Sequence, residues 1–403
     1  MASSGYVKKS DVRSRRQCAL CGSARLQTVI SLPGYPLTGR FSKRKMGKRP
    51  AGINQRLLLC GQCGHVQLGS RISPRVLYDA RYSFRTSASA KARAGTEFFL
   101  NFLKSVAPKR KFRSVLDVGC NDLYLLRRLA GKAKYRAGID PIWEGKEKKA
   151  AGKGIVVIGG SVEGTDLNRM LPAPPDLVVC RHTLEHIDFP AVVLKKLLDA
   201  AADNALFVFE VPGFDTLFER LRFDQISHEH LQYFSLAVFT KLVQSLGGAV
   251  LGHRVNRHDW GALVIAFQKK KAPQGKGRMK GVPYRGNDIR KRYQTFCAHM
   301  AGVRKTLDLN KGKEICGYGA ANMLPVLAYY LKSDMSFLKA VLDDDPQKKG
   351  WHYWNLPLAV RHSKGVDLSQ VSVMITAVDN AQPILQKLLQ NRPKDIVYPL
   401  PLV

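Results

Sequence analysis

"KFRSVLDVGCNDLYLLRRLAGKAKYRAGIDP", residues 111 to 141, is the stretch that decides the fold of this chain. It predicts an apolar strand over Val115–Val118, a turn around Gly119, a helix, and a second strand that ends in Asp140. This order is typical of the first βαβ unit of a nucleotide-binding sheet, because glycine lets the backbone approach the ligand and an acidic side chain can bind two ribose hydroxyls. An ordinary core strand followed by an incidental glycine is the alternative.

The turn in this stretch reads D-x-G-C-N-D, which differs from the dinucleotide fingerprint G-x-G-x-x-G. It resembles motif I of the class I S-adenosylmethionine-dependent methyltransferases. The resemblance implies an α/β, Rossmann-like core and S-adenosylmethionine as cofactor. The residues expected to bind this cofactor are Asp117, Gly119, Asn121, Asp122, Asp140, His182 and Ser87.

Two later segments fit the same doubly wound sheet. Residues 176–187, DLVVCRHTLEHI, predict a fourth strand and the turn after it, and residues 204–213, NALFVFEVPG, predict a fifth strand. Ligands bind at the carboxyl ends of such strands. A histidine after a strand is more often structural than catalytic, so His186 becomes a candidate only through the groups expected to lie near it. The polar residues and the proline at these predicted ends are His182, His186, Glu210 and Pro212.

The segment FDQISHEHLQYFS, residues 223–235, places His228, Glu229 and His230 together after the fifth strand. A metal site is disfavoured by this spacing, because adjacent side chains diverge and histidine ligands usually lie four residues apart on a helix. An acid/base site fits better. Imidazole titrates near neutral pH and can remove a proton from a carbon next to a carbonyl, while a nearby carboxylate fixes its tautomer.

Two Cys-x-x-Cys pairs, Cys18 with Cys21 and Cys60 with Cys63, lie near the start of the chain. Two residues between paired cysteines let both sulfurs point from one tight turn onto a tetrahedral ion, so four thiolates predict a structural zinc site without an open position for catalysis. A disulfide is disfavoured in the cytoplasm, and a redox pair would not explain two copies. The other cysteines, which we expect to be ordinary buried residues, are Cys120, Cys180, Cys297 and Cys316.

The length of 403 residues indicates roughly two or three domains. We predict a zinc-binding domain over residues 1–85, a methyltransferase core over 86–272 and a C-terminal α/β domain over 273–403. In the last domain EICGYGAANMLPVLAYYL predicts a strand, a glycine turn and a helix, followed by further strands. The turn at Gly317 and Gly319 either holds a diphosphate at a helix N-terminus or serves packing alone.

Composition places the chain among soluble globular proteins, with 45% hydrophobic and 24% charged residues. No apolar run reaches membrane-spanning length, and the basic start lacks the apolar centre of a secretion signal, so we expect a cytoplasmic protein, monomeric or homodimeric. The net charge of +34 raises nucleic acid as a partner. Basic residues occur throughout the chain, however, which favours a solvated surface or attraction of an anionic small substrate.

Taken in order, the motifs resemble the nucleotide-sugar C-methyltransferases of deoxysugar biosynthesis over nearly the whole chain. The segments that carry the resemblance are both knuckles with CGHVQL, LYDARYSFRTSAS, LDVGCND, RHTLEHI, FDQISHEHLQYFS, GKEICGYGA and VLDDDPQKKG. The resemblance implies methyl transfer to a carbon of a keto nucleotide sugar, with His230 as the base that generates an enolate. It further implies that Glu229 orients or ionises His230 and that His186 lies beside the acceptor.

This chain departs from the family pattern at several places. Leu123 replaces a glycine and is expected to crowd the methionine end of the cofactor, Phe84 and Ser227 replace tyrosines, and HDWGA at 258–262 replaces a glycine-rich HGGS. Tyr82 or Tyr233 would be substitutes for the lost hydroxyls. The residues expected to contact the substrate are Tyr82, Phe84, Ser227, His228, Gly319 and Asn322.

Two other functions are compatible with parts of the sequence. A methyltransferase for RNA or another small molecule would explain the charge, but the basic runs contain few of the aromatic residues that stack on bases. A non-catalytic scaffold would explain Leu123, Phe84 and Ser227 but leaves Asp140 and the histidines at 228–230 unexplained.

Overall fold

The computed structural model describes residues 7–45, 47, 49–77, 85–150, 154–270, 283–309, 312 and 314–401. Two residues proposed to contact the substrate, Tyr82 and Phe84, therefore lie outside the described residues. The elements of the N-terminal part are β1 (Val12–Ser14), β2 (Leu26–Tyr35), β3 (Phe41–Ser42), β4 (Ile53–Cys60), β5 (Val66–Leu68), β6 (Ser70–Ile72) and α1 (Pro74–Leu77).

The central part contains a mixed sheet of seven strands with helices between them. Its elements, with β12 belonging to the N-terminal sheet, are α2 (Ala90–Val106), β7 (Phe112–Val118), α3 (Tyr124–Arg128), β8 (Ala133–Ile139), β9 (Ile155–Ile158), α4 (Leu167–Met170), β10 (Leu177–Arg181), α5 (Pro190–Ala200), β11 (Leu206–Val211), α6 (Phe214–Glu219), β12 (Gln232–Tyr233), α7 (Leu236–Ser245), β13 (Gly248–Asn256) and β14 (Ala262–Lys269).

The strand order of this sheet is β13-β14-β11-β10-β7-β8-β9. The five strands from β9 to β11 run parallel, and β14 runs antiparallel between β11 and β13. Strand β11 is buried at every position because helices cover both faces of the sheet. The predicted α/β class I methyltransferase core is confirmed, and its crevice lies where the strand order reverses between β7 and β10.

The N-terminal part forms an antiparallel sheet of order β12-β5-β4-β2. Its fourth strand, Gln232–Tyr233, comes from the central part of the chain and follows His230 almost directly. The cysteines Cys18, Cys60 and Cys63 share a hydrophobic cluster with core strand residues such as Val178. The zinc-binding part and the methyltransferase sheet are therefore joined by a strand and by a common core.

The C-terminal part is a second Rossmann-like unit, as predicted. Its five parallel strands have the order β18-β16-β15-β19-β20. Among the helices described here and above, none has the length and apolarity required to cross a membrane. The elements are α8 (Gly286–Leu309), β15 (Ile315–Tyr318), α9 (Leu324–Tyr330), β16 (Leu338–Asp343), β17 (His352–Tyr353), β18 (Val360–His362), β19 (Ser372–Ile375), α10 (Ala381–Asn391) and β20 (Asp395–Val397).

Candidate active site

The turn after β7 places Gly119 where no other residue would fit. Its φ is +77°, and a Cβ built on it would lie 1.9 Å from Oγ1 of Thr183, in the turn after β10. The backbone N–H groups of Asn121 and Ile142 donate to Oδ2 and Oδ1 of Asp140, at 2.9 and 3.0 Å. Each carboxylate oxygen keeps a second lone pair that can accept a ribose hydroxyl.

The segment before α2 closes over the same turn. Thr86 N–H donates to Asn121 Oδ1 at 3.1 Å, and Ser87 N–H donates to Asp122 Oδ2 at 3.0 Å. Oδ1 of Asp122 is buried without a hydrogen-bond partner among the described residues. This acceptor, the absence of a side chain at Gly119 and the acidic residue after β8 fit S-adenosylmethionine, and the residues present would hold it here.

Asp117, the remaining candidate in this strand, lies inside β7 and is almost fully buried. Burial raises its pKa to about 7, although the nearby Arg181 guanidinium opposes the shift. Its side chain therefore belongs to the sheet interior below the turn, and cofactor contact by Asp117 stays a prediction.

Leu123 occupies a backbone position suited to glycine. Its φ is +66°, yet its side chain is fully buried in the cluster that contains Leu126 and Leu129. The leucine side chain thus packs into the core, and crowding of the cofactor by Leu123 stays a prediction. The energy of burying the side chain offsets the cost of about 1 to 2 kcal/mol for a left-handed residue.

A buried polar network that the sequence analysis missed lies at the ends of β10 and β11. Arg181 donates to Glu210 and, through Nη1 at 2.7 Å, to Thr96 Oγ1. Asn256 Nδ2 donates to the other oxygen of Glu210 at 2.6 Å. Asp259, within the departure HDWGA, approaches Arg181 Nη2 at 3.4 Å. The charge of Asp259 was the feature of the sequence that could have indicated this network, but its partners lie far away in the chain.

His182 joins this network rather than standing alone. Its Nε2 lies 2.9 Å from Oδ2 of Asp259, and its Nδ1 lies 3.6 Å from Oε1 of Glu185. Burial lowers the pKa of His182, but the Asp259 and Glu185 carboxylates outweigh burial and hold the pKa well above its ordinary value. His182 is therefore cationic at neutral pH, which suits contact with an anionic group; its binding of cofactor stays a prediction.

The structure brings His186 and His230 together, although they lie 44 positions apart in the chain. The two rings are 5.1 Å apart between centroids and approach edge to face. Nδ1 of His186 lies 2.8 Å from the carbonyl oxygen of Glu229, to which it donates. Burial, followed by the effect of His186, lowers the pKa of His230 to about 3, so its ring is neutral and retains a lone pair.

His228 and Glu229, the two residues before His230, contact the N-terminal part of the chain through their side chains. Both ring nitrogens of His228 are occupied, Nδ1 by Gln55 Nε2 at 3.3 Å and Nε2 by the carbonyl oxygen of Tyr35 at 3.1 Å. Oε1 of Glu229 accepts from Thr38 Oγ1 at 3.4 Å. His228 is thus a buried structural contact in this state, and its role toward substrate stays a prediction.

Ser227 and Tyr233 are linked to each other. The Tyr233 hydroxyl accepts a hydrogen bond from Ser227 N–H at 3.1 Å, and Ser227 Oγ accepts from His230 N–H at 3.3 Å. Both side chains are buried. Ser227 therefore fixes the backbone of His230, and the Tyr233 hydroxyl fixes the backbone of Ser227.

The four predicted zinc ligands converge. Sγ of Cys18 lies 3.6 Å from Sγ of Cys63, and Sγ of Cys21 lies 3.6 Å from Sγ of Cys60. Zinc–sulfur bonds of about 2.3 Å in a tetrahedron require sulfurs about 3.8 Å apart, so the four thiols fit the ion. Gly22 and Gly64 follow the pairs in left-handed turns and donate N–H to the carbonyls of Cys18 and Cys60.

The zinc-binding part also contacts the loops that hold the histidine pair. Next to the second knuckle, His65 Nε2 lies 2.9 Å from Gln232 Oε1, and Gln232 Nε2 donates to the carbonyl of Ile187 at 2.8 Å. Arg15 and Arg71 both form ion pairs with Asp188. The residues just after His186 are therefore held by the hydrogen bond from Gln232 and by the two ion pairs to Asp188. Gln232 itself lies two residues after His230.

The candidates of the C-terminal part are Gly319 and Asn322. Gly319 has φ +96°, and a Cβ would lie 2.2 Å from Cβ of Ala377, so packing alone requires glycine there. Asn322 is exposed, and its carbonyl accepts from Gly39 N–H at 3.2 Å in the N-terminal part. Substrate contact by these two residues stays a prediction.

Gly119→Ala should lower the affinity for S-adenosylhomocysteine at least about tenfold, equal to about 1.4 kcal/mol. The new Cβ must displace Thr183 and distort the cofactor turn. Gly131→Ala is the matched control, because Gly131 has φ +75° but no atom within 4 Å of its Cβ. Calorimetric titration of both variants measures the difference, and equal affinities would contradict the placement of the cofactor.

His228→Gln should flatten the dependence of stability on pH. Burial lowers the pKa of His228 to about 4, so the unfolded chain binds the proton more readily, and stability present above pH 6.5 is lost as pH falls toward 4. That loss is about 1.4 kcal/mol per pH unit, and neutral glutamine removes it. Urea unfolding at several pH values measures the slopes; parallel curves for both proteins would contradict the prediction.

The N-terminal part and the central part of the chain each match a known family. Residues 85–252 match a family model described as a methyltransferase domain, and residues 18–78 match one described as a zinc binding domain. The C-methyltransferase NovU of Streptomyces niveus is 24% identical over 332 residues, which span 77% of this chain and 76% of that protein.

Two of the solved structures to which this chain is similar cover less than half of it. The N-methyltransferase NodS of Bradyrhizobium japonicum WM9, in complex with S-adenosylhomocysteine, is 15% identical, covers 47% of this chain and 93% of its own, and gives a TM-score of 0.37. The YcgJ protein of Bacillus subtilis is 12% identical, covers 44% of this chain and 100% of its own, and gives 0.34.

The cofactors follow from the matched domains and from the geometry of the two sites. The chain uses S-adenosylmethionine, for which the turn after β7 is the candidate site, and zinc binds the four cysteines. These findings support the resemblance noted in the sequence: the chain is an S-adenosylmethionine-dependent methyltransferase that carries a zinc-binding domain ahead of its methyltransferase domain, and it is similar to a C-methyltransferase over about three quarters of its length.

Proposed function

We propose that this enzyme methylates a carbon next to the ketone of a keto nucleotide sugar, with His230 as general base. The observation that carries the proposal is the turn after β10, which touches both halves of the site. Thr183 in this turn packs against Gly119, and His186 at its end packs against His230. A base on one side of this turn therefore lies near the cofactor on the other.

Carbon becomes a nucleophile when a neighbouring carbonyl takes up its electrons, so the site needs a neutral base and a partner for the oxygen. His230 is the neutral base, because burial keeps the proton off its ring. His182 lies in the same turn, and its cationic ring is balanced by the Asp259 and Glu185 carboxylates beside it. Bound S-adenosylmethionine supplies an electrophilic methyl group.

The sugar and the nucleotide come from the family resemblance, and the name of NovU supports a carbon acceptor. The net charge of +34 supports an anionic substrate, since such a field attracts a diphosphate. The tyrosine phenol groups of the family pattern are absent at Phe84 and Ser227, which directs the proposal toward histidine as the polar partner of the ketone.

Incubation with methyl-labelled S-adenosylmethionine and a panel of 4-keto nucleotide sugars tests the proposal. We expect the label in one product, located on carbon by NMR. The same sugars with the ketone reduced to a hydroxyl are the matched control, because they cannot form an enolate and should take up no label.

Equal labelling of reduced and keto sugars would overturn the enolate mechanism. Label in RNA but in no sugar would establish the alternative acceptor, which the charge permits. A second measurement tests proton removal separately from methyl transfer. In deuterated water with S-adenosylhomocysteine in place of the methyl donor, the protein should exchange the hydrogen on the carbon next to the ketone for deuterium, and no methylated sugar should form.

A further inference from the structure

The carboxylate of Glu185 is a buried group that the mechanism so far leaves unused. The residue is fully buried, and neither Oε1 nor Oε2 has a hydrogen-bond partner within the described ranges. Burial raises its pKa, but the imidazoles of His182 and His186 outweigh burial and lower it, so Glu185 is ionised. A buried charge without hydrogen bonds is costly unless it has a function or a partner that arrives later.

Imidazoles surround this carboxylate. Its Oε1 lies 3.6 Å from Nδ1 of His182 and 3.8 Å from Nε2 of His186. A ring nitrogen of His230 lies within 4.8 Å of a Glu185 oxygen and of a His186 nitrogen. Nδ1 of His230 is also buried without a hydrogen-bond partner in the described part of the chain. A buried carboxylate and a buried imidazole, each with an unpartnered polar atom, thus belong to one cluster.

Glu229, the neighbour of His230 in sequence, is placed differently. Its carboxylate accepts from Thr38, near Arg40, and its backbone carbonyl accepts from His186. Thr38 therefore occupies the Glu229 carboxylate, and residues 228 and 229 form a bend rather than a strand, so adjacency in sequence does not make Glu229 the partner of the His230 ring.

We propose that Glu185, rather than Glu229, is the positioning carboxylate of the His230 base. It accepts a hydrogen bond from Nδ1–H of His230, which leaves the lone pair on Nε2 for the acceptor carbon. When His230 takes the proton, a C–H bond breaks, an N–H bond forms, and the electron pair passes to the ketone oxygen. Glu185 then balances the imidazolium charge, while the charged groups behind it, Asp259 and Glu210, remain paired with His182 and Arg181.

This inference rests on the proposed function for its base chemistry, and the separation between His230 and Glu185 in this state is compatible with it. Catalytic hydrogen bonds are often long before substrate binds and shorten in the complex. The carboxylate does not touch the reacting atoms, so its effect is on tautomer, orientation and charge.

Nitrogen-15 NMR of histidine-labelled full-length protein with S-adenosylhomocysteine tests the proposal without any acceptor. The His230 signals are assigned by their loss in His230→Asn. We expect Nδ1 of His230 to carry the proton in the wild type. Glu185→Gln should give mixed tautomers and a lower titration pH for His230, and Glu185→Asp should recover at least half of both changes. Glu229→Gln should leave the tautomer unchanged.

Unchanged His230 signals in Glu185→Gln, or changed signals only in Glu229→Gln, would overturn the proposal. A second equivalent of tightly bound metal that disappears in Glu185→Gln would also overturn it, because the carboxylate would then be a ligand. With an accepted keto sugar, Glu185→Gln should lower kcat about a hundredfold with KM within about threefold. Failure to find an acceptor would count against the proposed function, whereas the NMR result decides Glu185 separately.

Discussion

His230→Asn should lower the rate of methyl transfer at least about a thousandfold, within the range that a positioned base contributes. Asparagine is of similar size and polarity but cannot take a proton at neutral pH. The ring contact with His186 is lost as well, although Ser227 still holds the backbone of residue 230. Turnover with a keto nucleotide sugar and saturating S-adenosylmethionine measures the effect.

The same variant should bind S-adenosylhomocysteine within a few-fold of the wild type, since the cofactor turn is formed by other residues. His253→Asn is a suitable control, because His253 is exposed in β13 at the edge of the sheet. It should keep wild-type turnover. Persistent transfer in His230→Asn would place the base elsewhere.

Cys60→Ser should remove the bound zinc and loosen the loop that carries His230. Serine is a poor zinc ligand, and Cys60 ends β4, whose neighbour β5 pairs with β12. We expect the opening free energy of the amides of β5 and β12 to fall by about 3 kcal/mol, equal to about hundredfold faster hydrogen exchange. Methyl transfer should fall in parallel, because Gln232 and Asp188 no longer hold the turn near His186.

Cys297→Ser provides the matched control. Cys297 is half-buried in α8 of the C-terminal part, outside the group of four converging thiols. This variant should retain one equivalent of zinc by mass spectrometry and wild-type exchange in β5 and β12. Unchanged metal content in Cys60→Ser would contradict the zinc site, while zinc loss with unchanged exchange would contradict its link to the catalytic loop.

Features written in short stretches of sequence were predictable. The strand, turn and acidic residue of 111–141, and the paired cysteines, depend on local spacing, and the structure places them as expected. Leu123 was different, because sequence shows that a residue is bulky but not whether its side chain turns into the core or toward a ligand.

The remaining features depend on contacts between distant segments. Asp259 and His182 lie 77 positions apart in the chain, and Glu185 and His230 lie about 45 positions apart. No local sequence pattern predicts that either pair lies close together in the fold. The same holds for β12, a strand of two residues whose pairing with β5 is fixed only when both are folded. Local reasoning grouped Glu229 with His230 because they are adjacent, whereas the contact that the fold gives the Glu229 carboxylate is with Thr38, 191 positions away.

The late arrival of β12 affects the order in which a ribosome can complete this protein. The cysteines and strand β5 are made first, but the partner of β5 is synthesised only after the 163 residues from 69 to 231. At about 5 to 20 residues per second this edge stays open for about 8 to 33 s. An unpaired apolar edge invites pairing with other chains. Chaperone supply and translation speed should therefore have a larger influence on the yield of active enzyme than the stability of the completed protein has.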